Sequence, residues 1–188
     1  IGEHGYFWKT NFYDAASRVP LVFMGNGIEK GRRIKELSSL LDIAPTLTSY
    51  SSSDDLPSVD GKNLMPVLYG NEEPDKNRVV VSMCSDIKGD NPSLMLRKGQ
   101  YKYVMHAGYE MPQLFDMASD PHECHDLAGS SDMQSVLEEF SKLQKQYWDP
   151  DKALDELKNA KRNFNLMTKW FSIVNPPLVG EWRGNPER

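Results

Sequence analysis

Two cysteines, Cys84 and Cys124, are all that the 188 residues contain. They are too few for a disulfide framework and wrongly spaced for a zinc site, so they read as free thiols or as one incidental bridge. Basic residues are also short: 22 Lys and Arg against 27 Asp and Glu leave a net charge of -5. That balance excludes a surface built to neutralise a nucleic-acid backbone, although a local cluster of cations can still hold a small anion. No apolar run approaches the roughly 18 to 20 residues of a membrane-spanning helix, so no membrane partner is expected. Four motifs are missing as well: HExxH, a GxSxG elbow, a Walker lysine loop and GxGxxG. Their absence removes support for metalloprotease, serine-nucleophile, nucleotide and dinucleotide chemistry.

What is present alternates between helix and strand signals. "RVPLVFMGNG" is an apolar run ending in Gly25 and Gly27, the pattern of a buried strand followed by a turn. In "IKELSSLLDIAPTLTSY", apolar residues at Ile34, Leu37, Leu40 and Leu41 carry helical spacing, and Pro45 interrupts it. One helix should stop near Asp42 and a second begin with Pro45 in its first turn. A Ser/Asp/Pro/Gly-rich connector and "LMPVLYG" follow. Then "VVVSM", "SLMLRKGQYKYVMH" and "PQLFDM" read as short antiparallel strands, with a hairpin turning at Lys98 to Gln100. From Asp132, placed as a cap, Met133, Val136, Leu137, Phe140, Leu143 and Tyr147 mark a helix to pack on that sheet. "PDKALDELKNAKRNFNLMTKWF" repeats the helical pattern, and the Pro- and Gly-containing tail after it is expected to lie along another surface or to be disordered.

Few residues carry chemistry. His122, Cys124, His125 and Asp126 in "DPHECHDLAG" have the types of a metal cluster, but the same string is ordinary turn and helix-start chemistry, which is the preferred reading. His106 and Tyr109 follow the third strand as turn residues near a possible pocket rim. The opening "IGEHGYFWKTNFYDAASRVPLVF" sets His4 between glycines and Lys9 among aromatics. An ammonium about 4 Å from an anion, at an effective dielectric near 20, contributes roughly 4 kcal/mol. A snorkelling surface lysine and a plain loop histidine account for the same residues.

"GEHG" followed by Lys9, "NFYDAASRVPLVF", "SSLLDIAPTL", "DGKNLMPVLYG", "LRKGQYKYV" and "QLFDMASDPHECHDLAG" occur in an order that resembles the C-terminal half of type I sulfatases. "WKTNFYDAASRVPL" and the stretch from "QYWDPDKALDELKNAKRN" onward look most like the choline-sulfatase branch. His4 departs from it, since that branch more often has arginine there, whereas sugar-sulfate enzymes related to iduronate sulfatase have histidine.

The resemblance implies an α/β, alkaline-phosphatase-like fold. Residues 1–75 would complete the large α/β domain, 76–149 would form a small antiparallel sheet backed by a helix, and 150–188 a helical extension. It also implies a parent enzyme that uses calcium and a formylglycine, made from the Cys or Ser of a CxPSR-type motif, to hydrolyse a small sulfate ester. Neither Cys84 in "CSDIK" nor Cys124 in "CHDLA" fits that motif. The nucleophile and metal carboxylates would belong to the N-terminal half, the implied partner of this chain, which by itself would bind neither cofactor and be inactive. Lys9 corresponds to the family's sulfate-contacting lysine and His4, less specifically, to a pocket residue, so both are candidate catalytic residues. Phosphodiester or phosphonate monoester hydrolysis on the same fold stays open, as does a non-catalytic piece that assembles homo-oligomers through a tail bearing Trp170 and Trp182.

Overall fold

The computed structural model describes residues 2–7, 11–51, 56–85 and 91–174. Short helices α1 (Asp14–Ser17), α2 (Ile43–Tyr50) and α3 (Met65–Leu68) precede four strands, β1 (Val79–Cys84), β2 (Ser93–Lys98), β3 (Tyr101–His106) and β4 (Gln113–Asp116). Helices α4 (Gln134–Tyr147) and α5 (Pro150–Val174) follow. The strands form one antiparallel sheet in the order β1-β2-β3-β4. Gly99, at φ 52, makes the tight turn between β2 and β3 that the sequence assigns to a hairpin.

The register divides the sheet into two faces. Val81 pairs with Leu96, Leu96 with Tyr103 and Tyr103 with Leu114. Alternation then turns all four side chains to one side, where they join Phe140 and Trp148 in the main core. The Phe140 ring stacks on Tyr103 with 5.5 Å between centroids, which seats α4 on the sheet. Tyr103 donates its hydroxyl to Gln144 Oε1 at 2.6 Å, and burial raises its pKa to about 12. The opposite face carries Ser93, Met95, Lys102, Val104, His106, Gln113 and Phe115. It is covered by the segment around Phe12, which packs on Met95 and Val104.

Ahead of the sheet, Leu64, Met65 and Leu68 form a second small core with Phe23 and Ile34 against them. Asp42, fully buried, organises the neighbouring turn. Its carboxylate accepts from Ser39 N–H at 2.7 Å, Lys62 N–H at 2.8 Å and the Arg78 guanidinium at 2.6 Å. Gly61 passes so close that a Cβ there would lie 2.0 Å from the Leu41 carbonyl oxygen.

Three sequence expectations change. The run from Arg18 to Met24 forms no strand or helix among the described residues, and Val22 and Met24 are 77% and 89% exposed. A strand needs a neighbour's backbone groups, and β1 to β4 pair only with one another. The helix expected up to Asp42 is a single 3₁₀ turn, Leu40–Asp42, because Ser39 and Asp42 close a capping box on three residues. α2 does begin just before Pro45, as the proline requires. Asp132 lies inside a 3₁₀ turn, Ser131–Met133, and caps nothing with its side chain. Among the described residues no helix is long and apolar enough to cross a membrane. Residues 175–188 lie outside the described structure, and with them the expectation for the tail.

Candidate active site

The face of the sheet turned away from α4 holds the polar groups, and the chain's opening is folded against it. Glu3–Gly5 make a 3₁₀ turn in which Gly2, His4 and Gly5 all have positive φ, at 77°, 52° and 75°. Glycine takes this region freely, whereas a histidine held there costs on the order of 1 kcal/mol or more. The His4 ring, exposed at its edge, stacks on Tyr13 with 3.8 Å between centroids and 5° between planes. Tyr13 in turn packs 6.1 Å from the Phe115 ring of β4. Lys9 lies outside the described residues.

Between this opening and the sheet is a cleft of about 480 Å³, lined in part by Tyr6, Tyr13, Ser93, His106, Tyr109 and Gln113. Its polar groups are linked to each other. The Gln113 side chain stands beside both Tyr13 and His106 and acts on the proton affinity of each. Ser93 Oγ lies 2.7 Å from His106 Nδ1 and 3.2 Å from the Asn91 carbonyl oxygen, to which it can donate. Tyr109 packs 5.5 Å from the His106 ring. Burial lowers the His106 pKa below its ordinary value, with the Gln113 contact opposing, so the imidazole is neutral near pH 7. Burial likewise raises Tyr13 and Cys84, which keeps the phenol and the thiol in the cleft wall uncharged. The walls are hydrogen-bonding and partly aromatic, with the Glu123 and Asp126 carboxylates among them, and suit the hydroxyl-bearing or apolar portion of a small molecule. A shallower groove along α5, between Lys158 and Lys169, lies apart from these residues.

Beneath the cleft runs a buried ionic cluster. Lys102, 1% exposed, donates to the Phe12 carbonyl at 2.9 Å, Asp14 Oδ1 at 2.5 Å and Glu123 Oε1 at 2.7 Å. Glu123 Oε2 accepts from the Asp14 N–H at 2.6 Å. The sequence does not single out Lys102, Gln113 or Glu123. The one hint is "YKYVM", where a lysine alternates with core residues, and a sheet backed on one side only would have let it point into solvent.

The His122 to Asp126 string has turn roles. Asp126 Oδ1 accepts from the backbone N–H groups of Leu114 and Ala128, and Asp120 accepts from that of His125. Among the described residues no group of three or more His, Cys, Asp or Glu could hold a metal ion. Of the acids lining the cleft, Glu123 is paired with Lys102 and Asp126 accepts from two backbone N–H groups. These residues therefore do not fit a calcium site, and neither cysteine lies in a formylglycine motif.

Comparison with known proteins decides the family. The family "N-sulphoglucosamine sulphohydrolase, C-terminal" matches residues 2–149. The chain belongs to this C-terminal sulfatase family. The sulfatase domain is 34% identical over 134 residues to Arylsulfatase K of Bos taurus, covering 67% of the chain and 25% of that protein. It is 33% identical over 156 residues to the Choline-sulfatase of Rhizobium meliloti, covering 79% and 29%. Among solved structures it resembles BT1596, a 2-O GAG sulfatase, with a TM-score of 0.67 and 27% identity over 81% of the chain and 33% of that structure. The chain thus spans about a quarter of the length of the curated relatives it matches. The small antiparallel sheet with its helices corresponds to the C-terminal part of the sulfatase fold, as the ordered motifs imply.

Proposed function

We propose that this chain is the C-terminal part of an enzyme that hydrolyses an organic sulfate ester to an alcohol and inorganic sulfate. The observation that carries the proposal is the family match over residues 2–149, which takes in the glycine-bracketed His4 and the cleft beside it. In this proposal Lys9 supplies the cation at the sulfuryl group. Negative charge moves toward the leaving oxygen as the S–O bond breaks, so an ammonium fixed there stabilises the transition state more than the ground state. His4 borders the same pocket on its Tyr13 support. The cleft beside Tyr109, His106 and Gln113 receives the alcohol portion.

Calcium and formylglycine chemistry belongs, in this proposal, to residues outside this chain. The exposed apolar row of Val19, Leu21, Val22 and Met24 supports a partner of that kind, since such a row is stabilised when further structure covers it. The full-length polypeptide is expected to hydrolyse an aryl sulfate faster than an aryl phosphonate monoester, and the 188-residue chain alone to hydrolyse neither. Preference for the phosphonate would reassign the reaction, and sulfate release by the chain alone would refute the division of labour.

A second role rests on a separate observation. No residue of α5 is buried, and Phe164, Met167, Trp170 and Phe171 are all exposed along its C-terminal half. We propose that this stripe assembles copies of the enzyme.

A further inference from the structure

We propose that Lys102 is a positioning residue for the cleft: its ammonium, held by Asp14 and Glu123, clamps Phe12–Asp14 to the sheet and so fixes where Tyr13 and the His4 ring stacked on it stand. This rests on the sulfatase proposal, in which His4 borders the pocket that receives the sulfuryl group.

The clamp is over-determined for a merely solvated lysine. Three acceptors from two distant parts of the chain converge on one ammonium: the Phe12 carbonyl and the Asp14 carboxylate from the opening segment, and the Glu123 carboxylate from the loop after β4. Glu123 is held at φ 55, one of two non-glycine residues described with positive φ, and in that conformation its two oxygens reach Lys102 and the Asp14 N–H together. The other such residue is His4, at the far end of the same segment.

Electrostatics explains why the acids come as a pair. Lys102 stands opposite Arg97 in the register, so two cations face each other across β2 and β3 on the covered side of the sheet. Like charges directly opposite destabilise a sheet. Asp14 and Glu123 offset both, and both stabilise the Arg97 charge against the burial that opposes it. Removing the Lys102 charge alone would leave a buried and a partly buried carboxylate beside each other, so the segment carrying Asp14 should move away from the sheet.

Tyr13 lies inside the clamped segment and carries the His4 stack and the Gln113 contact, so a shift of Phe12–Asp14 moves the cleft mouth with it. Such coupling predicts an effect on turnover rather than on ground-state binding, because misplacing a transition-state contact by about 1 Å can cost as much as 10²-fold.

The test uses the full-length enzyme carrying Lys102→Met, assayed well below its melting temperature, with Phe140→Leu as a core control for lost stability and Lys9→Ala as the reference for lost charge. We expect Lys102→Met to lower kcat about 10-fold or more with KM changed less than about twofold. Amide exchange should speed up across residues 11–17 and not across α4, while Phe140→Leu keeps its kcat. If Lys102→Met does not fold, the milder Asp14→Asn is read in the same way. Wild-type kcat in Lys102→Met or Asp14→Asn, with activity lost in Lys9→Ala, overturns the clamp alone. Wild-type kcat in Lys9→Ala as well overturns the sulfatase assignment beneath it.

Discussion

The imidazole of His4 lies flat on the phenol ring of Tyr13, 3.8 Å between centroids and 5° from parallel. A residue at positive φ in a loop has few ways to be held, and this stack fixes the ring at the cleft mouth. Stacked aromatic pairs contribute roughly 0.5–1.5 kcal/mol beyond area burial. In the full-length enzyme His4→Ala is therefore expected to reduce kcat/KM less than Lys9→Ala does, and Tyr13→Leu to reproduce most of the His4→Ala loss. A double-mutant cycle should show the two changes to be non-additive. Unchanged kinetics in His4→Ala would remove that residue from the site.

His106 gives a pH signature. Burial lowers its pKa in the folded chain, so on acidification an unfolded chain takes up the proton first. The stability it contributes is present above the ordinary histidine value of about 6.5 and is lost as pH falls through the lower folded value. Proton NMR of the ring should give a midpoint below 6.5, and His106→Gln should flatten the acid limb of the stability curve. A midpoint at or above the ordinary value would contradict the buried, neutral imidazole assigned to the cleft.

Gly61 tests the packing of the first part of the chain. A methyl group there would meet the Leu41 carbonyl oxygen at 2.0 Å, beside the turn that Asp42 closes. Gly61→Ala should cost about 1–3 kcal/mol in chemical denaturation, since backbone rather than a flexible side chain must give way. Asp42→Ala should cost more, about 3–5 kcal/mol, because it leaves the Arg78 guanidinium largely buried without its main carboxylate partner. A wild-type melt for either variant would mean that these segments do not pack as described.

For α5 the expected outcome concerns mass. The helix carries exposed Trp170 and Phe171 with Phe164 and Met167 on the preceding turns. Sedimentation of the full-length enzyme should give an oligomer that a version ending at Asp149 loses. Identical oligomeric states would rule out assembly through this helix.

Legibility in the sequence followed the range of the interactions. The strands of the sheet and α4 and α5 are readable because period-two and helical apolar patterns are local, and the "KGQ" turn is marked by its glycine. The run from Arg18 to Met24 misleads because a strand is defined by a partner, and its composition alone says nothing of one. The stretch before Asp42 misleads because helical spacing over Ile34 to Leu41 is overruled by a side chain that bonds Lys62 and Arg78, far along the chain. Within the site, the motif order marks the opening loop, whereas the Lys102 cluster joins residues 88 and 21 positions apart and leaves no local trace. Gln113 is hidden in the same way, as one polar residue at the start of a short strand.

The most direct measurement is steady-state turnover of an aryl sulfate by the full-length enzyme with and without Lys9→Ala, with folding checked by the melting curve. The account predicts a loss of roughly 10²-fold or more in kcat with the melt unchanged, the scale on which a single oxyanion donor acts. Turnover equal to wild type would contradict it.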